Sequence, residues 1–455
     1  MHEWTVYRLG DISDSCLGKM LDKKKNKGEF QPYLSNKCVR WGSFDFEYLS
    51  EMKFEEHESK RYGLIYGDLI ICEGGEPGRC AIWKDEVPNM KIQKALHRLR
   101  VHNEFSNEFL YYRFLLAGRT KGLDKYFIGS TIKHLTGVSL KGIEFSFPYF
   151  NEQKAIAKVL SDLDAKITLN NRINQELEAM AKLIYDYWFV QFDFPISAEQ
   201  AAAMGRPDLK GKPYKSSGGK MVYNEQLKRA IPEGWEDGTL NDFGEIIGGS
   251  TPSKAEEKNF SNKGTPWITP KDLSINSGKK YITKGEVDVS AIGLKSASLK
   301  IMPPGTVLMS SRAPVGYLAI AREKVTTNQG FKSFVPNKGY STEYIFHTLM
   351  RAMSLIEANA SGSTFREVST SVLRNLNWSK PTIEFVENYT KIISPLFNKQ
   401  DILEQENQKL SELRDWLLPM LMNGQVKVSE TGFSGLEDGQ DFNMAAEPSE
   451  KYGEQ

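Results

Sequence analysis

Gly129-Ser130-Thr131-Ile132-Lys133 returns as Gly362-Ser363-Thr364-Phe365-Arg366, 233 residues further along the chain. At the same shift Leu140 meets Leu373, Lys141 meets Arg374, Ile143 meets Leu376 and Pro148 meets Pro381. The register then holds without a gap, from Ser161 and Ser394 to Asn174-Gln175-Glu176-Leu177 and Asn407-Gln408-Lys409-Leu410. Self-similarity over half a chain fixes architecture before any local motif does, because each copy must adopt the same frame. The 455 residues are therefore two copies of one unit.

Working outward, the shift drifts by a few residues, as it does when loops differ in length around a common frame. Gly67-Asp68-Leu69-Ile70-Ile71, with Pro77 and Ala81-Ile82, echoes Gly305-Thr306-Val307-Leu308-Met309, with Pro314 and Ala319-Ile320. Both read as strand, Gly/Pro turn, strand. Leu9-Gly10-Asp11-Ile12 pairs with Phe243-Gly244-Glu245-Ile246, and Tyr33-Leu34 with Trp267-Ile268. Each half opens with a mixed α/β domain, over 1–150 and 232–383.

A long helix is predicted after each domain, over 151–195 and 384–423. The first is free of Gly and Pro up to Phe189; the second contains Pro395 and Pro419, and Pro395 predicts a late start or a kink. Leu163, Ile167, Asn170, Asn174, Leu177, Ala181, Ile184 and Trp188 step by alternating fours and threes, as do Leu396, Gln400, Leu403, Asn407, Leu410, Arg414, Leu417 and Leu421. That is coiled-coil spacing, and two such helices in one chain bury their seams most economically against each other. Asn174 and Asn407, equivalent in the repeat, are the expected register markers of an antiparallel pair. A helix of this length spans roughly 57 Å at ~1.5 Å per residue, enough to act as a spacer. Residues 196–231, rich in Gly, Lys and Ser, read as a basic, exposed linker, and the acidic stretch 424–455 as a disordered tail.

The overall formal charge is +1, but it is unevenly spread. Net values of +3 for 1–150, +4 for 196–231 and +4 for 232–383 alternate with −2, −3 and −5 for 151–195, 384–423 and 424–455. Two mildly basic domains can thus meet phosphates despite a near-neutral total. Cys16, Cys38, Cys72 and Cys80 form no metal-site spacing and read as reduced thiols. No apolar run approaches membrane-spanning length, and Met1-His2-Glu3-Trp4 lacks the features of a secretion signal, so a cytoplasmic protein without a membrane partner is expected.

Several stretches together resemble the specificity subunits of type I restriction–modification systems. They are Gly-Ser-Thr followed by Pro148 to Gln153, the Tyr187-Trp188-Phe189-Val190-Gln191-Phe192-Asp193-Phe194-Pro195 run, and Gly211-Lys212-Pro213-Tyr214 to Met221. To these add Ile231-Pro232-Glu233-Gly234-Trp235, and Ser311-Arg312-Ala313-Pro314-Val315-Gly316 with Asn328-Gln329-Gly330. The second half departs from the pattern in having Phe385-Val386 where the first has Glu152-Gln153. The resemblance implies a mixed α/β fold with two tandem target-recognition domains, each followed by a long helix, and a chain that reads a bipartite site on double-stranded DNA. It further implies two methylation subunits that transfer a methyl group from S-adenosylmethionine to adenine, and ATP-driven motor-nuclease subunits that use Mg.

Beside the resemblance stands an absence of catalytic signatures. There is no Asn/Asp-Pro-Pro-aromatic tetrapeptide, no Gly-rich loop opening a dinucleotide fold and no Gly-x-x-x-x-Gly-Lys-Ser/Thr phosphate loop. The chain reads as non-catalytic, with no cofactor or metal of its own. The alternatives are a recognition scaffold of another DNA-methylation or phage-defence assembly, and a self-contained DNA-modifying enzyme.

DNA contact requires forked or long polar side chains near base edges and Lys, Arg, Ser or Thr near phosphates. In the second half Arg312, Asn328, Gln329 and Lys332 meet that need at a Gly/Pro turn, although Asn328 and Gln329 equally suit turn capping. In the first half the equivalent turn offers Arg79, and Gln93 with Lys94 stands for Gln329. Ser130, Thr131 and Lys133, with Ser363, Thr364 and Arg366, complete the candidates. The Lys23–Lys27 run reads as a loop that either grips phosphate or is simply solvated.

Overall fold

A computed structural model describes residues 4–22, 26–362, 366–429 and 432–434. The chain forms two compact units, one of residues 1–167 and 409–455, the other of residues 168–408.

In the first unit, Ser13–Leu17, Leu96–Val101, Leu69–Cys72 and Cys80–Ile82 make a four-stranded antiparallel sheet in that spatial order. Leu69–Cys72 is buried at every position, as a central strand of Leu, Ile and Cys should be. A second sheet places Glu29–Leu34 between Ser50–Phe54 and Lys91–Ile92, the last pairing parallel through Tyr33 with Lys91 and Leu34 with Ile92. Helix Asn107–Arg119, started by the Ser106 hydroxyl accepting from the Phe109 amide, packs Phe109, Leu110 and Phe114 into the core.

The second unit repeats this plan with one more strand in its main sheet. Glu245–Gly248, Lys332–Val335, Val307–Ser311, Val315–Ala321 and Tyr281–Ile282 lie side by side, and helix Thr342–Ala358 packs on them. The parallel pairing recurs through Trp267 with Thr326 and Ile268 with Thr327. Short end-strands recur too: Thr5–Arg8 pairs with Glu144–Phe147, and Glu236–Thr239 with Asn377–Lys380. Mixed α/β units, each closed by long helices, follow from both sequence halves.

The central helix runs Phe150–Tyr185 and the C-terminal helix Ile383–Met422. The expected late start of the second is corrected, since the helix continues through Pro395. That residue is exposed, so water can replace the one backbone bond that proline removes. Antiparallel pairing is seen within each unit. In the first, Arg414 donates to Asp164 at 2.7 Å, and Ile156 and Leu160 share a core with Leu417, Leu418 and Leu421. In the second, Asn170 donates to Asn407 at 2.9 Å and Gln400 donates to the Asn174 carbonyl at 3.0 Å.

The register marker differs from the one expected. Asn407 is buried on the seam, but its partners are Asn170 and Asn171, the latter accepting from Asn407 Nδ2 at 2.8 Å. Asn174 contributes its backbone carbonyl to Gln400. Numbering runs in opposite directions along antiparallel helices, so Asn407 meets Asn170 and Asn171, about one turn before its repeat counterpart Asn174.

The segment 196–231 is a packed element rather than an exposed linker. Helix Ala198–Ala203 and the hairpin Met221–Asn224 with Arg229–Pro232 structure it. Ile196, Ala201, Tyr214 and Ile231 are all buried. Tyr214 stacks on Phe194 at 4.6 Å, and Trp188, Phe189 and Phe194 pack around Phe385. A few apolar residues suffice because each finds this aromatic cluster, so average composition misled. Beyond the C-terminal helix, Lys427–Ser429 pairs with Gly432–Ser434, and residues 435–455 lie outside the described residues.

Candidate nucleic-acid interface

The residues that flank the repeated Gly-Ser-Thr motif exchange the same two backbone bonds in both units. Ile128 and His134 exchange amide-to-carbonyl bonds of 2.9 and 2.8 Å; Ser361 and Glu367 exchange bonds of 3.0 and 2.8 Å. Gly129 and Gly362 have φ of +103° and +121°, a region that side chains with a Cβ rarely adopt, which explains the glycine at the loop's first position. Ser130, Thr131 and Lys133 are exposed on the first loop. Lys133 forms an exposed ion pair with Asp124 at 3.1 Å, weak enough for a phosphate to displace. On the second loop Arg366 is exposed, while Ser363 and Thr364 lie outside the described residues, as do Lys23, Lys24 and Lys25.

The second unit also carries a cleft lined by Thr251, Lys254, Trp267, Thr269, Arg312, Asn328, Gln329 and Gly330, with Lys271 and Glu286 among its other walls. It brings three residues singled out from sequence into one place. Arg312 follows strand Val307–Ser311 and is about one-third exposed, with Glu367 at 3.7 Å. Gln329 is exposed and its carbonyl oxygen accepts from the Thr251 hydroxyl. Asn328 accepts from the Gly330 amide at 2.9 Å, so its oxygen caps the turn that presents Gln329. Lys332 is mostly buried and faces Glu367 at 3.5 Å. Thr251, Lys254 and Lys271 were missed from sequence. The signal of the first two, a Thr-Pro-Ser-Lys run beside the end of a strand, becomes meaningful only once Trp267 donates to the Ser250 carbonyl at 3.1 Å and draws that run to the cleft.

The first unit aligns its frame with the second residue by residue. The Gln93 amide donates to the Leu34 carbonyl at 3.0 Å, and the Asn328 amide to the Ile268 carbonyl at 3.1 Å. Gln93 is therefore the counterpart of Asn328, and Lys94 that of Gln329, one residue off the expected pairing. Drifting loop lengths hid that offset. The same frame puts Gly74 where the second unit has Arg312, because the Leu135 amide donates to Glu73 as the Val368 amide donates to Ser311. Gln93 and Lys94 are half-buried. Arg79 is no open cation: its guanidinium donates to Glu76 at 3.0 Å and to the Asn36 carbonyl at 3.1 Å, tying down its own turn.

The candidate face of the second unit is held to the helices by buried charge. Lys280 donates to Gln400 at 2.7 Å, lies 2.5 Å from Glu178 and sits 3.5 Å over the Phe397 ring. Arg322 binds Asp401 and Glu404, and Glu404 also accepts from the Lys280 and Tyr281 amides. Burial draws the Lys280 ammonium below the usual lysine range and pushes the Glu404 carboxyl up. Such a network costs desolvation, which its ion pairs and hydrogen bonds offset.

The comparisons with known proteins find the same duplication. The family model for the type I restriction modification DNA specificity domain matches residues 1–179 and again 232–412. The chain belongs to this family. Family membership accounts for the repeat, since each half is one specificity domain with its helix. The chain is 26% identical to the Type I restriction enzyme HindI specificity subunit of Haemophilus influenzae over 94% of this chain and all of that one. It is 37% identical to the MjaIX specificity subunit of Methanocaldococcus jannaschii over 42% of this chain and 44% of that one. The crystal structure of the type I S subunit from M. genitalium shares the fold with a TM-score of 0.55 at 15% identity, covering 92% of this chain and 96% of that one. Among the described residues no helix is long and apolar enough to cross a membrane.

Proposed function

We infer that the chain is the non-catalytic specificity subunit of a type I restriction–modification complex, working in the cytoplasm. Each α/β unit reads one half of a split site on double-stranded DNA. The observation that carries this reading is the pair of equivalent turns: one backbone frame presents Arg312 and Gln329 in one unit and Gly74 and Lys94 in the other. A repeated frame with unlike reading residues suits an asymmetric, two-part sequence. Arg312 and Gln329 read base edges. Lys133, Arg366, Ser130 and Thr131, with Ser363 and Thr364, meet the backbone, as loops of this composition do when they position a protein on a duplex. Lys332 and Asn328 support the readers, and Gln93 and Lys94 serve the first half-site. Two methylation subunits bring S-adenosylmethionine, and motor-nuclease subunits bring ATP and Mg; this chain holds none of these.

The test is to co-express the chain with its adenine methyltransferase and map methylated adenines on a plasmid, with and without this chain. Methylation at one split motif, appearing only when the chain is present, is the expected result. Methylation by the chain alone, or a complex with no split motif, overturns the reading.

A further inference from the structure

Glu367 sits where a DNA-binding surface should avoid a carboxylate. Its side chain reaches Arg312 at 3.7 Å and Lys332 at 3.5 Å, while its backbone pairs with Arg312 on one side and Ser361 on the other. The backbone pairing places the carboxylate without help from the side-chain ion pairs. Two cations thus share one half-exposed anion at the base of the loop that ends in Arg366.

The repeat supplies a control. By the matching backbone bonds, His134 stands for Glu367, His97 for Lys332 and Gly74 for Arg312 in the first unit. His97 is buried and hydrogen-bonded to the Leu135 carbonyl at 2.9 Å. The frame is built in the first unit without any carboxylate or permanent cation at these positions, so the fold does not require the cation–carboxylate–cation cluster of the second.

We propose that Glu367 is a specificity-determining counterion: anchored by the largely buried Lys332, it holds Arg312 neutralised against the phosphate backbone at large and releases it only to a correctly placed base edge. This rests on the reading of the second unit as a DNA reader. The physical basis is competition. At 3.7 Å the carboxylate competes with any passing phosphate for Arg312, and the largely buried Lys332, 3.5 Å away, holds it in place to do so. A guanine edge gives arginine two aligned hydrogen bonds, which a phosphate met in arbitrary register does not. The counterion therefore lowers affinity for every sequence and lowers it least for the right one.

The experiment measures binding of the full chain, in complex with its methyltransferase, to a labelled duplex carrying the mapped motif and to one with the second half-site scrambled, across a salt series. For Glu367→Gln, affinity for the scrambled duplex rises about 3- to 10-fold at low salt, and the slope of log affinity against log salt steepens by about 1 for each cation freed to meet a phosphate. The ratio between the two duplexes falls. Adding Arg312→Ala to Glu367→Gln removes most of the gain. Glu367→Asp, which keeps the charge, stays near wild type and shows that the loop tolerates substitution. If Glu367→Gln binds both duplexes like wild type, or binds both more weakly while Glu367→Asp is normal, the counterion role is overturned and the DNA-reading assignment stands. If the wild-type complex does not distinguish the duplexes, the reading of the second unit falls, and this role with it.

Discussion

Arg312 and Arg79 both stand at a Gly/Pro turn but meet different fates on mutation. Replacing Arg312 with Ala should relax the base preference at one position of the second half-site, costing about 1–3 kcal/mol of discrimination and leaving the first half-site unchanged. Methylation mapping of the mutant complex reads this directly, and a uniform loss across all sites would contradict it. Arg79→Ala should act otherwise, because its donors hold a turn: a stability loss of about 1–2 kcal/mol by denaturation, with recognition intact. His347 offers a pH test. Buried against the Phe397 ring, bonded to the Tyr389 hydroxyl at 2.9 Å and near Lys280, it is pushed down to about 3 by burial and by that ammonium. The folded state therefore keeps His347 neutral while the unfolded state takes a proton near 6.5. Its contribution to stability is full above that value and falls by about 1.4 kcal/mol per pH unit below it. His347→Phe should flatten this part of the profile; an unchanged acid limb would rule the assignment out. At this scale, residue types and a Gly/Pro turn were enough to single out Arg312 and Gln329. Arg79 deceived because an arginine on a turn looks the same in sequence whether it faces DNA or its own backbone.

At the scale of elements, the helix pair and its docking carry the predictions. Asn407→Leu alone leaves Asn170 Nδ2 with Glu406 as its acceptor and takes the donor from Asn171 Oδ1, and should cost about 1–3 kcal/mol, whereas the double change Asn170→Leu with Asn407→Leu should recover part of the loss. Urea denaturation of the single and double variants, compared as a cycle, measures the coupling, and additive losses would remove Asn170–Asn407 as a register pair. Lys280→Met leaves Glu178 without its buried cation and the Gln400 side-chain oxygen without its donor, and should destabilise by ~3 kcal/mol. Periodicity exposed the seam positions, since alternating threes and fours is a local property of one helix. Which asparagine meets which is a property of two helices, and the repeat number pointed to the wrong partner. Pro395 likewise predicted an interruption that its solvent-facing position makes tolerable.

For the molecule as a whole, internal duplication is the deepest signal, and it predicts that specificity is modular. Exchanging residues 232–383 for those of another family member should change one half of the methylated motif and keep the other, as read by methylation mapping. The sequence by itself determined the two-copy plan, the strand–turn–strand core of each copy and the helices that follow, because periodicity and breakers act over short stretches. Tertiary structure alone decided that Gln93 answers Asn328, that residues 196–231 pack through Tyr214 and Ile231, and that Glu367 sits between Arg312 and Lys332. Those outcomes depend on distances between residues far apart in the chain. Such distances are set by how sheets and helices close on one another, which local residue preferences leave open.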